Sequence, residues 1–574
     1  MTGQDEVNTI FENSENKLQV AEEKKPAELS EFSQIGQGLI KDYQAYYESL
    51  KPKGEVTYIH VDDIASKVAV FYEKLLRVIN WKEEQLVRRT AIERKLKRRL
   101  ITEISGMGIV ANLKPEPIAR ALVLESIRGG HLPNNHIPQT KIKDVQNILE
   151  KYIYILKNIS SAENRSSSDM KLKVQFYNWL LEIAACEIEE TLATPLKENA
   201  LINSMSQVME ERIRIKPEGS ISDSEKRVQI YISVHRTLFH LDAPIISYRL
   251  LRWQHPEWVN MPASEYPQAA KDILKIRQKI QEQLDYKWSG EFFKIGEKYN
   301  TLWLIMGDIL DQFKKKPEEI NIRLGNKETL NQAITEAYDT RYKTLKTRLL
   351  HMGLYSSLSV MIANLFSLFI VEVPLAKLLY GRINPWSMVA DIVVPTLIML
   401  GLVSAYKMPG KTNLDKVIEE IQNIIYRQQG EEIYEIRVKH GRMLITTIFI
   451  VFLYLLGLVI TLGGIVWILH AIKLPPTSIA INTLLAAVMI FGAMVVRQRA
   501  KELAVEERTS FLEFSVDFLS IPVGKVGQWL ATKWKKYNVV SVFFTALIDM
   551  PFFAIINFIE SWSSFMKERK SEIH

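Results

Sequence analysis

Met443–Ile472 reads MLITTIFIVFLYLLGLVITLGGIVWILHAI and contains no Asp, Glu, Lys or Arg over 30 residues. A helix that crosses a membrane needs about 20 apolar residues, whereas uncharged runs in core helices usually end within about 10–14. As a helix, this stretch would be about 45 Å long, so it would tilt or extend beyond the hydrocarbon layer. The stretch therefore predicts a membrane-spanning helix.

Three further segments have the same apolar character. Leu349–Val371 and Leu474–Val496 carry no charged residue, and Ile383–Tyr406 carries only Asp391. Each segment is long enough to cross the hydrocarbon layer as a helix. With the first stretch they predict two transmembrane hairpins, residues 349–406 and 443–496.

A fifth apolar stretch, Tyr537–Ile559, contains one charge, Asp549, and basic clusters lie on both sides of it. Pro551 lacks a backbone donor and disfavours helix at the residue before it. We therefore expect residues 537–562 to form a bent re-entrant or interfacial hairpin, followed by a basic cytoplasmic tail at 563–574. A fifth true span is the alternative interpretation.

The distribution of Lys and Arg predicts the orientation, since basic loops stay in the cytoplasm. The connector 407–442 has seven basic residues and the connector 497–536 has eight, whereas the loop Gly381–Ser387 has only Arg382. We expect a basic helical connector at 407–442 and an amphipathic cytoplasmic or interfacial one at 497–536. The N-terminus and most of the soluble mass would face the cytoplasm, at a plasma or inner membrane.

The N-terminal half predicts a large cytoplasmic helical domain. Residues 1–38 are polar and rich in Glu, Lys, Asn and Gln, which favours a disordered tail. Apolar residues then take a helical period. The Ser-rich stretch Ser160–Asp169 would separate a subdomain at 39–160 from one at 169–350, whose last helix continues into the first span. The predicted fold class is all-α, a multi-pass helical membrane protein with this N-terminal domain.

The spacing of candidate ligand and nucleophile residues indicates neither a metal site nor a catalytic site. Cys186 is the only cysteine, which excludes an internal disulfide framework. The sequence has no His-Glu-x-x-His or paired-Cys pattern and no Gly-x-Ser-x-Gly elbow. We therefore predict no cofactor, no metal and no catalytic residue, and an enzyme is the least favoured class of function.

Acidic residues within the apolar segments are the first candidate functional residues, because each costs several kcal/mol unless it is paired or hydrated. Asp549, Glu372 and Asp391 make up this predicted intramembrane polar site. Glu372 and Asp391 would lie near the outer ends of their spans. We expect them to pair with Lys377 or Arg382.

A second candidate is the basic face formed by Arg88, Lys95 and Arg99 in the densest run of positive charge. Such a face could contact anionic lipid headgroups, worth about 1 kcal/mol per basic residue. Acidic residues are interleaved with the basic ones, so a solvated helix face is the alternative. No aromatic residues accompany them for base stacking, which disfavours nucleic acid as a partner.

Two functions follow from these patterns. The leading interpretation is a multi-pass integral membrane protein whose cytoplasmic helical domain acts as a membrane-anchored scaffold or partner-binding module. Its partners would be membrane lipids and a cytoplasmic protein. The alternative is a transporter or channel subunit that uses polar residues around the bent C-terminal segment. Homo-oligomerisation is compatible with both.

Overall fold

The computed structural model describes residues 32–51, 56–61, 84–105, 113–159, 167–380, 385–404, 408–426, 433–438, 444–505 and 511–536. The described residues are predominantly helical, which confirms the all-α class. The predicted bent hairpin at 537–562, with Asp549, and the tail at 563–574 lie outside these residues. So does the predicted disordered tail over residues 1–31.

The chain divides into two compact units. We call the described residues of Gln34–Glu297 and Glu432–Ile436 the N-unit, and those of Lys298–Glu431 and Arg437–Thr545 the C-unit. The elements of the N-unit, in chain order, are α1 (Gln34–Ser49), α2 (Glu84–Ser105), α3 (Pro115–Arg128), α4 (Lys141–Ile159), α5 (Ser167–Leu192), α6 (Leu196–Arg212), β1 (Ile213–Lys216), α7 (Asp223–Leu238), α8 (Ala243–Gln254) and α9 (Tyr266–Leu284).

A large hydrophobic core joins most helices of the N-unit. It includes residues of α2, α3 and α4, which precede the Ser-rich stretch, and of α5, α8 and α9, which follow it. Leu96, Leu122, Leu149 and Leu180 are fully buried in this core. Burial of a leucine side chain contributes about 1.5–3 kcal/mol. The helices on both sides of the Ser-rich stretch therefore share their main source of stability.

The first helix begins within the segment predicted to be disordered. α1 starts at Gln34, and its apolar side buries Ile35, Ile40 and Tyr43 where it packs against α6. These residues recur at helical spacing, so one face of a polar segment is apolar enough to be buried. Composition averaged over residues 1–38 does not reveal that face.

The starts of several helices follow from their capping residues. The Ser222 side chain accepts a hydrogen bond from the backbone N–H of Glu225 before α7, and Asp242 does the same for Ile245 before α8. These oxygens satisfy amide donors that have no partner inside the helix.

The remaining elements are α10 (Ser289–Asp311), within which the two units divide, α11 (Ile320–Gly325), α12 (Lys327–Ser367), α13 (Val373–Tyr380), α14 (Pro385–Ser404), α15 (Lys411–Tyr426), β2 (Tyr434–Arg437), α16 (Leu444–Ala471), α17 (Pro476–Ala500) and α18 (Phe511–Lys536). The strands β1 and β2 form a two-stranded sheet. A single π-helical turn, Leu368–Glu372, joins α12 to α13.

Among the described residues, two helical segments are long and apolar enough to cross a membrane, Ile448–Ala471 and Pro476–Ala500. A shorter apolar segment covers Asp391–Gly401. The regular part of α12 ends at Ser367, before the end of the apolar stretch predicted at Val371. Four spans were expected from the sequence, so the multi-pass arrangement is taken up as a proposal below.

α18 packs closely on the two apolar helices α16 and α17. A Cβ atom on Gly527 would overlap the backbone carbonyl of Ala487 in α17, and one on Gly457 of α16 would lie 2.8 Å from the carbonyl oxygen of Phe518. Small residues allow helix backbones to approach this closely. The glycines therefore fix α18 against both helices.

Candidate functional site

A buried polar cluster lies where three helical elements of the C-unit meet. Glu372 ends the π-helical turn after α12, Asp391 lies in the second turn of α14, and Ser478 and Asn482 lie in the first two turns of α17. All four side chains are buried. The structure thus brings together two of the acidic residues that the sequence singled out.

Hydrogen bonds from α17 hold the two carboxyl groups. The Ser478 hydroxyl donates to Oε1 of Glu372, and Nδ2 of Asn482 donates to Oδ1 of Asp391 at 2.7 Å. The same amide donates to the Ser478 carbonyl oxygen at 2.9 Å. Because Ser478 and Asn482 are four residues apart, they lie on one face of α17 and reach both acids.

The two acids also interact with each other electrostatically. Oδ2 of Asp391 is buried and has no hydrogen-bond partner among the described residues. Two carboxylates that share a site repel, and such a pair is stable only if it is hydrogen-bonded or shares a proton. The arrangement therefore leaves Asp391 with an acceptor oxygen that a proton can occupy.

Further buried polar groups lie on α12 before Glu372. Ser357 and Asn364 are buried, and none of their side-chain oxygen and nitrogen atoms has a hydrogen-bond partner among the described residues. They are seven residues apart, which is two helical turns, so they share a face. The π-helical turn contains one extra residue per turn, which rotates Glu372 towards the same face.

Comparison with protein-family models, curated proteins and solved structures found no match for this chain.

The partners predicted for Glu372 and Asp391 differ from those observed. Hydrogen bonds reach the two acids from α17, whereas Lys377 is exposed to solvent, and Arg382 and Asp549 lie outside the described residues. The predicted polar site included neither Asn482 nor Ser478. The i, i+4 spacing of these two residues is the signal that could have joined them.

The predicted basic face lies on α2, and its three side chains contact neighbouring helices of the N-unit. Arg88 donates to Glu189 at 2.8 Å, and Arg99 pairs with Glu125. Lys95 donates to the Ser126 hydroxyl at 3.3 Å, and burial lowers the pKa of its ammonium group to about 8. A role in lipid contact stays a prediction, and it would require these pairs to open.

The N-unit also contains a buried charged network that sequence reasoning did not single out. Nζ of Lys151 donates to Oε1 of Glu187 at 2.7 Å and to the Trp258 carbonyl oxygen at 2.6 Å. The Tyr152 hydroxyl donates to Oε2 of Glu187 at 2.7 Å. Burial raises the pKa of Glu187 and lowers that of Lys151. Every charged atom of the pair has a partner, so the network joins α4 to α5.

No group of three or more His, Cys, Asp or Glu side chains within the described parts of the chain is arranged to hold a metal ion. In the carboxylate cluster, Ser478 and Asn482 direct hydrogen-bond donors at the acids. A metal ion would require lone pairs in those positions. The chemistry that fits the cluster is proton binding.

Proposed function

We propose that the chain is a multi-pass integral membrane protein in which α12, α14, α16 and α17 cross a plasma or inner membrane and the N-unit lies in the cytoplasm. Support comes from apolar side chains on α16 that face outward, including Val459 at 66 % and Trp467 at 72 % exposure. Apolar surface of this extent is rarely left in contact with water. The alternation of basic and neutral connectors supports the orientation.

Within this bundle the protein acts as a proton-translocating transporter or channel subunit. The observation that carries this function is the meeting of the Glu372 and Asp391 carboxyl groups in a buried position. Acidic residues inside membrane helices commonly form proton relays. Asn364 and Ser357 extend the polar face along α12 towards its N-terminal end.

The test is proton flux through the full-length protein reconstituted in liposomes that contain a pH-sensitive dye. A potassium gradient with valinomycin supplies the driving potential. We expect the dye to report flux for the natural sequence and at least a tenfold lower rate for Glu372→Gln and Asp391→Asn, because an amide cannot carry the proton.

The matched control is Thr396→Val on α14, five residues past Asp391, whose hydroxyl donates to the Ile392 carbonyl of the same helix. It should retain the flux. Equal flux through empty liposomes and protein-containing liposomes would rule out proton translocation. So would full flux through a correctly folded Asp391→Asn variant.

A second candidate function, a membrane-anchored partner-binding module, is favoured by a surface on the N-unit. The guanidinium carbon of Arg277 lies 5.6 Å from the ring centre of Phe176 and 5.8 Å from that of Trp179. Val174 and Leu274, on the same two helices, are exposed. Arginine and tryptophan are enriched among the residues that dominate protein interfaces.

Cross-linking in intact cells tests this second function. A photoreactive amino acid at position 274 of the full-length chain should give one discrete protein adduct, and Arg277→Ala should remove it. The same photoreactive residue at Lys275, also on α9, serves as the control for non-specific capture. Adducts that are equal at both positions would exclude a specific surface here.

A further inference from the structure

A cavity of about 390 Å³ lies in the C-unit between α10, α12 and the residues that follow α17. Small-molecule pockets usually enclose about 300–1,000 Å³. Its charged lining consists of Asp308, Arg341, Arg348 and Glu502. The cavity is thus large enough for a small polar ligand.

The four charges are arranged in two pairs of opposite sign. Arg341 donates to both oxygens of Asp308, with Nη2 at 2.8 Å from Oδ1. Nη1 of Arg348 lies 4.0 Å from Oε2 of Glu502, which is longer than a hydrogen bond. The lining has no net charge, so it complements a zwitterion better than an anion or a cation.

One carboxylate oxygen in the cavity lacks a donor. Oε2 of Glu502 is buried and has no hydrogen-bond partner within the described part of the chain. The wall that carries it is fixed, because Thr301 donates to the Glu502 carbonyl at 2.8 Å and Asn413 to the Leu503 carbonyl at 2.7 Å. A buried carboxylate oxygen without a donor is expensive, and an ammonium group would satisfy it.

The cavity lies beside the start of the exposed apolar surface of α12. Arg348 lines the cavity, and Leu350 and Leu354, within the next two turns, are 60 % and 59 % exposed. If α12 crosses the membrane as proposed above, this boundary is at the level of the lipid headgroups. The placement in the bilayer therefore rests on the proposed topology, whereas the charge pattern does not.

We propose that this cavity binds a phosphoethanolamine group, with the phosphate on the Arg341 and Arg348 guanidiniums and the ammonium on Glu502. Guanidinium groups bind phosphate in a forked, bidentate geometry. A primary ammonium can donate three hydrogen bonds, whereas the trimethylammonium of a choline headgroup has none to donate. The source of the group is the headgroup of phosphatidylethanolamine or a soluble phosphoethanolamine ester.

Native mass spectrometry of the full-length protein in detergent tests the proposal with lipids of matched chain length. We expect phosphatidylethanolamine to bind at least tenfold more tightly than phosphatidylcholine. Glu502→Gln should remove that preference, because it takes away the charge that the ammonium needs. Thr344→Phe, on the cavity wall, should weaken binding of both lipids. Glu419→Gln on α15, which is exposed, is the control and should bind as the natural sequence does.

A competition experiment distinguishes the lipid headgroup from a soluble phosphoethanolamine ester. Displacement of the lipid by millimolar glycerophosphoethanolamine would identify the headgroup alone as the ligand, whereas retention of the lipid would show that its chains contribute. Equal affinity for the two lipids, or an unchanged preference in Glu502→Gln, would overturn the proposal. Extraction of the chain from membranes by alkaline carbonate tests the topology separately, since headgroup binding can be measured without it.

Discussion

The two units bury acidic groups in opposite ways. In the N-unit, Glu187 is buried against the ammonium of Lys151 and the hydroxyl of Tyr152. In the C-unit, Asp391 is buried near a second acid, Glu372, and the donors are neutral: Asn482 donates to Asp391 and Ser478 donates to Glu372.

This difference separates a structural role from a functional one. An ion pair that is fully hydrogen-bonded keeps one charge state. Neutralising one partner would leave the charge of the other buried without compensation. Two neighbouring acids with neutral donors can gain or lose a proton without losing their hydrogen bonds. The C-unit pair is therefore the better candidate for a group that changes state during function.

The largest effect is expected at the N-unit pair. Lys151→Met leaves Glu187 buried without a positive charge, and we expect it to lower the free energy of unfolding by about 3–5 kcal/mol. Chemical unfolding of the full-length protein in detergent, followed by circular dichroism, measures the change.

The double variant Lys151→Met with Glu187→Gln should recover most of that loss, since no buried charge remains. Lys275→Met on α9, an exposed lysine, is the matched control and should change stability by less than about 0.5 kcal/mol. A loss of similar size in the double variant would mean that packing, and not charge, holds this site.

Lys95 sharpens the comparison, because it is a half-buried N-unit charge that donates a hydrogen bond to a neutral hydroxyl, that of Ser126. Its pKa falls from 10.5 to about 8 in the folded protein. Between these values the unfolded chain binds more protons, so stability should rise as the pH increases from about 8 towards 10.5. The whole rise corresponds to roughly 3 kcal/mol.

Lys95→Met should abolish this dependence, so the difference in unfolding free energy between the two proteins, followed against pH, isolates Lys95 from other titrating groups. The variant should be the more stable protein below pH 8. Parallel pH curves for the two proteins would show that the ammonium is hydrated in the folded state.

The smallest effect is expected at the C-unit pair. Asp391→Asn removes the repulsion from Glu372 and keeps an oxygen to accept from Asn482. We expect the variant to be more stable by about 1 kcal/mol, as is common when a functional group is neutralised. Thermal unfolding in detergent measures it, and a strong loss of stability would place Asp391 among structural residues.

Regular helices were predictable where the apolar period is strong and unbroken. The sequence predicts a helix from about Thr140 to Ile159, and the structure has Lys141–Ile159. It also predicts that the helix before Gly106 ends near Ile104, and α2 ends at Ser105. Periodicity and glycine are local signals, so both can be identified without knowledge of the tertiary fold.

The candidate site was only half predictable. Glu372 and Asp391 stand out because charge is rare in apolar segments, but their partners come from α17, about 90–110 residues further along the chain. No local sequence pattern specifies the contact between α17 and the two acids. The π-helical turn that positions Glu372, Leu368–Glu372, does have a local signal, because Pro374 follows it and lacks the backbone N–H that would bond to the Ile370 carbonyl of a regular helix.

The 41 residues of α12 form one uninterrupted rod about 60 Å long. The cavity beside Arg341 and Arg348 lies near the middle of this helix, and the π-helical turn follows its C-terminal end. A regular helix transmits displacement without bending, so a ligand that tilts the rod at Arg341 would move the turn that carries Glu372. The first irregular segment after the cavity is that turn, so strain applied at the cavity would be released next to Glu372.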